Sequence, residues 1–450
     1  MKLPQFISPL RSKFIGDTLI VVTGTAIAQV ITVCTTPVLT RMYTPDQFGV
    51  LSIFVVILSG ATIVSCLCYE PAVVLPADEA SAIKLLIGCI LISALMAGFS
   101  YISLLSAAAP IARFFNITDS LSMLWWIPWT IIGMGLFQAF TYWNMRLKKF
   151  KYLAASRICQ SGVTAAVQIK GGLIGAGSSY LIYGQLLGLF VAVLVLGYET
   201  ISQRFRMLVH GLLRPQELAA PLNQYRNFPL YSTWGTLMNT AAFQCVPLLL
   251  LKFHGTTVVG LYFLASRVVS MPMSLIGNAL GQVLYQRVSD QLGQGQNIAK
   301  LIAKVVGGSI LVWTPPFFLL FLFSPAIFSI FFGSQWNSAG YYAQALIPLF
   351  LLQLITSPAS VVLIALNKQH IAARLQAILL AVALLSLGLT LSLSNSPLLS
   401  LIVYSLCQCI VYFVYLLVII HCASTSIGEI FSEMKTIMRI REYELQPDRV

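Results

Sequence analysis

Arg267 interrupts the apolar run VGLYFLASRVVSMP (259–272). A lone cation in a membrane-spanning segment costs roughly 2.5–3.5 kcal/mol at the helix centre, so it should face a cavity or a partner. About nine residues into its helix, at 1.5 Å per residue, Arg267 lies about 14 Å deep, near the midplane. Two readings follow: an anion site lining a cavity, or a structural ion pair. Lys170, in QIKGGL, sits toward the outer end of its helix, where it can bind an anion or snorkel to the interface. Arg41 and Arg113 are further external cations, and Arg41 stands in PVLTRMYTPDQFGV (37–50) beside Tyr43 and Pro45. Two carboxyls have the position for ion coupling. Glu70, in CYEPAVVLP, ends the second apolar run before Pro71 and either pairs with a cation or takes a proton. Asp17 opens the first run and either couples to a proton or cation or simply favours the helix N-terminus electrostatically.

Catalytic chemistry has little to work with. His210, His254, His370 and His421 are isolated, and the sequence holds no HExxH, no DxD pair and no P-loop. The nine cysteines include no CxxC and are read as small buried hydrophobes rather than ligands or disulfides. GGLIGAG (171–177) follows no strand, so small-residue helix packing is the better reading, as for Gly184/Gly188 and Gly277/Gly281. No enzyme activity and no cofactor or metal is expected.

The elements that must position these charges are membrane helices. The 450 residues are 58% hydrophobic and 9% charged, against roughly 25% charged in soluble domains. Continuous apolar runs of near 20 residues argue for helices rather than a β-barrel. Twelve spans are expected: 15–39, 48–69, 83–107, 122–145, 154–173, 179–200, 229–251, 257–284, 301–324, 338–366, 371–393 and 397–421. The first is retained rather than cleaved as a signal. With the N-terminus inside, 22 of the 27 Lys and Arg residues fall on the cytoplasmic side, Arg157 among them. The basic balance thus reflects membrane topology, not nucleic-acid binding.

A repeat runs through the chain. Shifted by 211 residues, Gly24, Thr25, Cys34, Arg41 and Gly49 meet Gly235, Thr236, Cys245, Lys252 and Gly260. Further on the shift is 220, and Lys84, Gly88, Pro128 and Lys148 meet Lys304, Gly308, Pro348 and Lys368. Six helices per half return the chain to the same side, so the halves are parallel repeats of the kind found in secondary transporters. Val56, not a cation, is the first-half equivalent of Arg267. The expected organisation is a lobe over 1–205, a cytoplasmic linker over 206–228, a lobe over 229–423 and a tail over 424–450. Ser426 and Glu429 fit a capping box, and the apolar spacing after them predicts a helix on the inner membrane surface or a solvated tail.

The pattern P-x-x-x-R-x-Y-x-x-x-x-F-G over Pro37–Gly49 resembles the polysaccharide biosynthesis (Wzx-type) flippases of the multidrug/oligosaccharidyl-lipid/polysaccharide exporter superfamily. YEPAVVLP (69–76), NFPLYSTWGTLMN (227–239) and VGLYFLASRVVSMP (259–272) are similar to it as well. The resemblance implies an all-α polytopic fold of two six-helix lobes around a central, cationic cavity. It implies ion-driven movement of a polyprenyl-pyrophosphate-linked oligosaccharide from the cytoplasmic to the outer leaflet. In that reading Arg267, Lys170, Arg41 and Arg113 bind the substrate, and Lys252 and Tyr43 frame the outer mouth with Arg41. Glu70 and Asp17 couple a proton or sodium ion, and Trp126, Trp143 and Trp234 stack on sugar or belt the interface. The expected setting is the bacterial inner membrane with both termini cytoplasmic, among membrane lipids and with a polysaccharide polymerase and chain-length machinery as partners. The rivals are a cation-coupled multidrug exporter, a lipid-linked peptidoglycan precursor flippase of fourteen helices, and a membrane glycosyltransferase or polymerase.

Overall fold

The computed structural model describes residues 7–115, 123–213, 215–226, 228–273, 277–366 and 368–444. Every regular element among them is helical. Two compact units are present: Met1–Thr240 with Gly255–Gly260, and Ala241–His254 with Leu261–Val450. Among the described residues, ten helices are long and apolar enough to cross a membrane. The twelve expected spans differ from these at two places. One qualifying stretch, Thr236–Pro272, spans 37 residues and is broken by Gly255 at φ 79°, ψ −175°. The other place is the helix Phe150–Leu173, whose Arg157, Gln160, Gln168 and Lys170 dilute its apolar character.

The first unit contains α1 (Ile7–Met42), α2 (Pro45–Cys66), α3 (Glu79–Phe114), α4 (Ile127–Arg146), α5 (Phe150–Leu173), α6 (Ser179–Leu213) and α7 (Ala219–Gln224). The turn between α1 and α2 explains the conspicuous residues of its sequence. Thr44 caps α2 by accepting from the Gln47 amide, and the Gln47 side chain returns to the Thr44 amide. Pro45 holds the first helical position, where no N–H is required. Gly49 has no room for a Cβ, because the Thr256 carbonyl occupies that place. Gly260 meets the Pro45 carbonyl in the same way. Since the 211-residue repeat carries Pro45 onto Thr256 and Gly49 onto Gly260, the crossing is self-complementary: each glycine faces the equivalent of the residue faced by the other. The Asp46 carboxylate accepts hydrogen bonds from the hydroxyls of Thr256 and Thr257.

Small residues let α1, α5 and α6 pack closely. Gly24 abuts Ala154, and Gly184 and Gly188 accommodate Gln168 and Thr164. Gly175 does not pack; it supplies a left-handed turn at φ 66° between α5 and α6. A core of Cys66, Ala82, Leu85, Leu86, Cys89, Ala139 and Trp143 joins α2, α3 and α4. The described part of the stretch read as a linker, 206–228, is largely helical. α6 continues to Leu213, a 3-10 turn spans Pro215–Leu218, and α7 follows. This segment is seated on the first unit through the Lys84–Glu217 ion pair at 3.2 Å and the Leu222 side chain over Gly88.

The second unit contains most of α8 (Thr233–Pro272), then α9 (Asn278–Gly293), α10 (Ala299–Phe332), α11 (Asn337–Ala359), α12 (Val361–Ala365), α13 (Gln369–Leu393), α14 (Pro397–Cys422) and α15 (Ile427–Glu444). The span expected over 257–284 takes in α8 up to Pro272 and α9 from Asn278, and residues 274–276 between them lie outside the described residues. Buried polar groups tie its helices together. The Gln408 amide donates to the Leu379 carbonyl at 2.8 Å, and Tyr412 and Tyr415 bond to the Gln353 and Ser360 side chains. The tail forms a helix with the expected capping box between Ser426 and Glu429. It docks on α10: Thr425 donates to the Ala299 carbonyl at 3.2 Å, and Ile430 and Met434 cover Gly307.

Candidate functional site

Arg267 lies twelve residues beyond the break at Gly255, about 18 Å along the helix at 1.5 Å per residue. It is half-buried in an apolar stretch. Its guanidinium carbon stands 5.7 Å from the centroid of the Phe263 ring, one turn earlier on the same helix. No ion pair to Arg267 is present among the described residues. The guanidinium thus offers a planar fork of donors, suited to a phosphate group, beside an aromatic face.

The other cations are exposed. Arg41 ends α1 and Lys170 lies in the last turn of α5. Those two helix ends come together. The Tyr43 hydroxyl donates to the Gln168 carbonyl at 2.7 Å, and Met42 and Tyr43 pack on Gly172. Arg41 and Lys170 therefore share one end of the first unit. Tyr43 is 2% exposed, so its ring serves the α1–α5 contact and is closed to sugar stacking. Burial, with the neighbouring Tyr180, pushes its phenol up to about 12. Arg113 lies exposed in the last turn of α3, and Lys252 is an exposed residue of the second unit. Trp143 is fully buried, whereas Trp234 is exposed and Trp126 packs edge-on against Tyr183 at 5.4 Å. The backbone of Asp17 belongs to α1, and its side chain lies outside the described residues.

Glu70 opens a 3-10 turn, Glu70–Val74, between α2 and α3. It is 6% exposed. Its carboxyl receives a hydrogen bond from its own backbone N–H, and Oε2 has no partner among the described residues. The ionisable groups facing it are Cys68, Cys89 and Tyr142, none of them cationic. Burial pushes the carboxyl above the usual carboxylate range. Of the two sequence readings, the paired carboxylate is not seen, and the geometry favours the protonated acid.

Two arginines have roles that the topology count hid. Arg146 donates to four carbonyls of the following loop: Val74 (3.1 Å), Pro76 (2.5 Å), Ala77 (3.3 Å) and Asp78 (3.2 Å). Arg157 belongs to α5 rather than to a connecting segment. It sits half-buried on α5 and donates to the Thr25 hydroxyl of α1. The signal for it was available in Gln160, Ser161, Thr164 and Gln168, which follow at helical spacing and give α5 a polar face. No cluster of His, Cys, Asp and Glu suited to a metal occurs among the described residues.

The sequence profile of a family described as polysaccharide biosynthesis protein matches residues 38–340. Over 314 residues the chain is 22% identical to the succinoglycan biosynthesis transport protein ExoT of Rhizobium meliloti (strain 1021). That match takes in 68% of this chain but spans 60% of the relative's length. Among solved structures, the lipid II flippase MurJ in an inward closed conformation superposes with a TM-score of 0.65 at 12% identity, covering 97% of this chain and 93% of that one. An inward-facing multidrug resistance MATE family transporter of the MOP superfamily gives 0.64 at 14% identity, with 90% and 94% covered. At these identities the likeness speaks to the fold alone.

Proposed function

Because the chain belongs to the polysaccharide biosynthesis protein family, we propose that it flips a polyprenyl-pyrophosphate-linked oligosaccharide, a surface-polysaccharide repeat unit such as O-antigen, from the cytoplasmic to the outer leaflet. The observation that carries this reading is Arg267, a guanidinium held deep in an apolar helix with an aromatic face for company and no carboxylate partner among the described residues. A pyrophosphate in a low-dielectric setting satisfies such a group with two charge-assisted bonds. Lys170, Arg41, Arg113 and Lys252 supply further cations, with Arg41 and Lys170 already at a common end of the first unit. A cationic drug would be repelled by this set.

In this reading the chain crosses the bacterial inner membrane twelve times, with α8 counted as two spans at Gly255 and α5 as one. Both termini are cytoplasmic. Two six-helix lobes alternate access to the substrate, an ion gradient drives the cycle, and Glu70 and Asp17 are the coupling carboxyls. A polymerase and chain-length machinery act on the delivered repeat unit. The multidrug-exporter alternative rests on the MATE likeness, which extends to the fold alone.

The test is leaflet location of lipid-linked oligosaccharide in cells lacking the protein. Cytoplasmic-side accumulation with loss of surface glycan, cured by wild type but not by stably expressed Arg267→Ala, is the expected result. Unchanged surface glycan and no accumulation would overturn the reading.

A further inference from the structure

The turn that holds Glu70 is also the seat of the chain's internal connector. The Tyr69 hydroxyl donates to the Leu222 carbonyl at 3.1 Å. The Leu67 carbonyl accepts from the Thr233 hydroxyl at 3.0 Å, and Thr233 is the first residue of α8. Together with Lys84–Glu217 and Leu222 over Gly88, these contacts fix the segment from Pro215 to Thr233 to the first unit. Two of the four contacts are made by Leu67 and Tyr69, which precede Glu70 within three residues. Leu67 and Cys68 lie in the left-handed region, at φ 48° and 57°, where side-chain-bearing residues persist only when their surroundings hold them.

We propose that Glu70 is a proton-operated latch: while its carboxyl carries a proton the turn stays seated and holds the connector, and loss of the proton releases both. This rests on the transport reading for its purpose and assigns the coupling ion as a proton. An ionised carboxylate at this place would be buried without a counter-charge. The elements packed on the turn are α3 and α4, the end of α2, and α7 and the start of α8, the last two carrying no ionisable group there. Besides Tyr101 and Arg113 farther along α3, the ionisable groups of these elements and the turn are Cys66, Cys68, Tyr69, Glu79, Lys84, Cys89, Tyr142 and Arg146. Lys84 is engaged with Glu217, and Arg146 with the loop carbonyls. The groups that face the carboxyl are thiols and a phenol. A sodium ion needs several hard oxygen donors, which thiols do not supply, whereas a proton needs one carboxyl.

The experiment is hydrogen–deuterium exchange on the purified full chain from about pH 6 to about pH 8, corrected for intrinsic rates, following residues 67–80 and 215–233. In wild type, opening of both segments should rise together with pH, at a slope of up to tenfold per unit, that of one proton. Glu70→Gln, which keeps the shape of the protonated acid, should hold both closed throughout. The infrared band of a protonated carboxyl should be present in wild type at the acidic end and absent from Glu70→Gln, a readout that needs no active protein. Flat exchange in wild type, or a pH dependence that survives Glu70→Gln, overturns the latch. A response to sodium at fixed pH overturns the choice of ion, and opening of 67–80 without 215–233 overturns the coupling to the connector. None of these readouts requires substrate. A flat profile in a protein that flips lipid-linked sugar sinks the latch alone, and a working latch in a protein that does not flip it sinks the transport reading alone.

Discussion

Removing the Arg146 guanidinium should free the loop that follows Glu70 without unfolding the helices around it. Its N–H groups reach the carbonyls of Val74, Pro76, Ala77 and Asp78 at 3.1, 2.5, 3.3 and 3.2 Å. A hydrogen bond from a charged donor contributes about 1.5–3 kcal/mol net when water cannot replace it. The bond to Pro76 is partly buried, while the other three are exposed, where water takes over most of the role. The sum expected for Arg146→Ala is therefore about 2–4 kcal/mol of local stability, well below four full bonds. At 1.4 kcal/mol per decade this is roughly a 30- to 1000-fold gain in loop opening. Three amides report it directly: Ala72 and Leu75, bonded to the carbonyls of Tyr69 and Ala72, and Ser81, bonded to the Asp78 carboxylate. Their exchange should accelerate by that factor while the amides of α4 and α6 stay protected. Arg146→Lys, a point charge without the fork, should recover about half of the free energy. Exchange within about threefold of wild type in Arg146→Ala would refute the clamp and reduce Arg146 to a topology-setting charge.

Other consequences follow from the same geometry. Arg267→Ala should weaken binding of a polyprenyl-pyrophosphate sugar by about 10- to 100-fold, and Arg267→Lys by less, measured by titration of the purified protein. Equal affinity in all three proteins would move the anion site elsewhere. Tyr43→Phe leaves the Gln168 carbonyl without its 2.7 Å donor and should cost about 1–2 kcal/mol, read as a lowered Tm in detergent. Because the Tyr43 phenol ionises near about 12 rather than 10.0, the stability it contributes should be intact below the ordinary tyrosine value and fall as pH rises through that interval. Gly307→Leu places a side chain where Met434 and the Ile430 carbonyl now lie. It should release α15 to protease while leaving the Tm of the remaining helices within a few degrees.

Helical architecture was legible because apolar length and positive charge act locally. Glycine spacing foretold the packing of Gly184 and Gly188, and the Ser426–Glu429 box foretold the tail helix. Thr-Pro-Asp-Gln (44–47) carried a second capping box in plain view, since glutamine three residues after threonine is its signature. Other features were not legible, because they depend on chain segments far apart in sequence. Whether Glu70 is paired or neutral is decided by Cys89 on α3 and Tyr142 on α4. Tyr43 has the sequence setting of an interface aromatic, and only the arrival of α5 buries it. Arg157 stands near Lys148, Lys149 and Lys151 in sequence, and its contact with Thr25 of α1, two turns inside α5, depends on a residue 132 positions away. Arg146 has the same local sequence setting, and its clamp on residues 74–78 is a contact across about seventy positions.

The most direct test of the account is transbilayer movement in liposomes containing the purified protein and a polyprenyl-pyrophosphate oligosaccharide, with the outer leaflet probed by an impermeant sugar-modifying reagent. Wild type should carry the lipid between leaflets, faster when a proton gradient is imposed, and Arg267→Ala should leave it where it was placed. No movement with wild type, or equal movement with Arg267→Ala, would contradict the account.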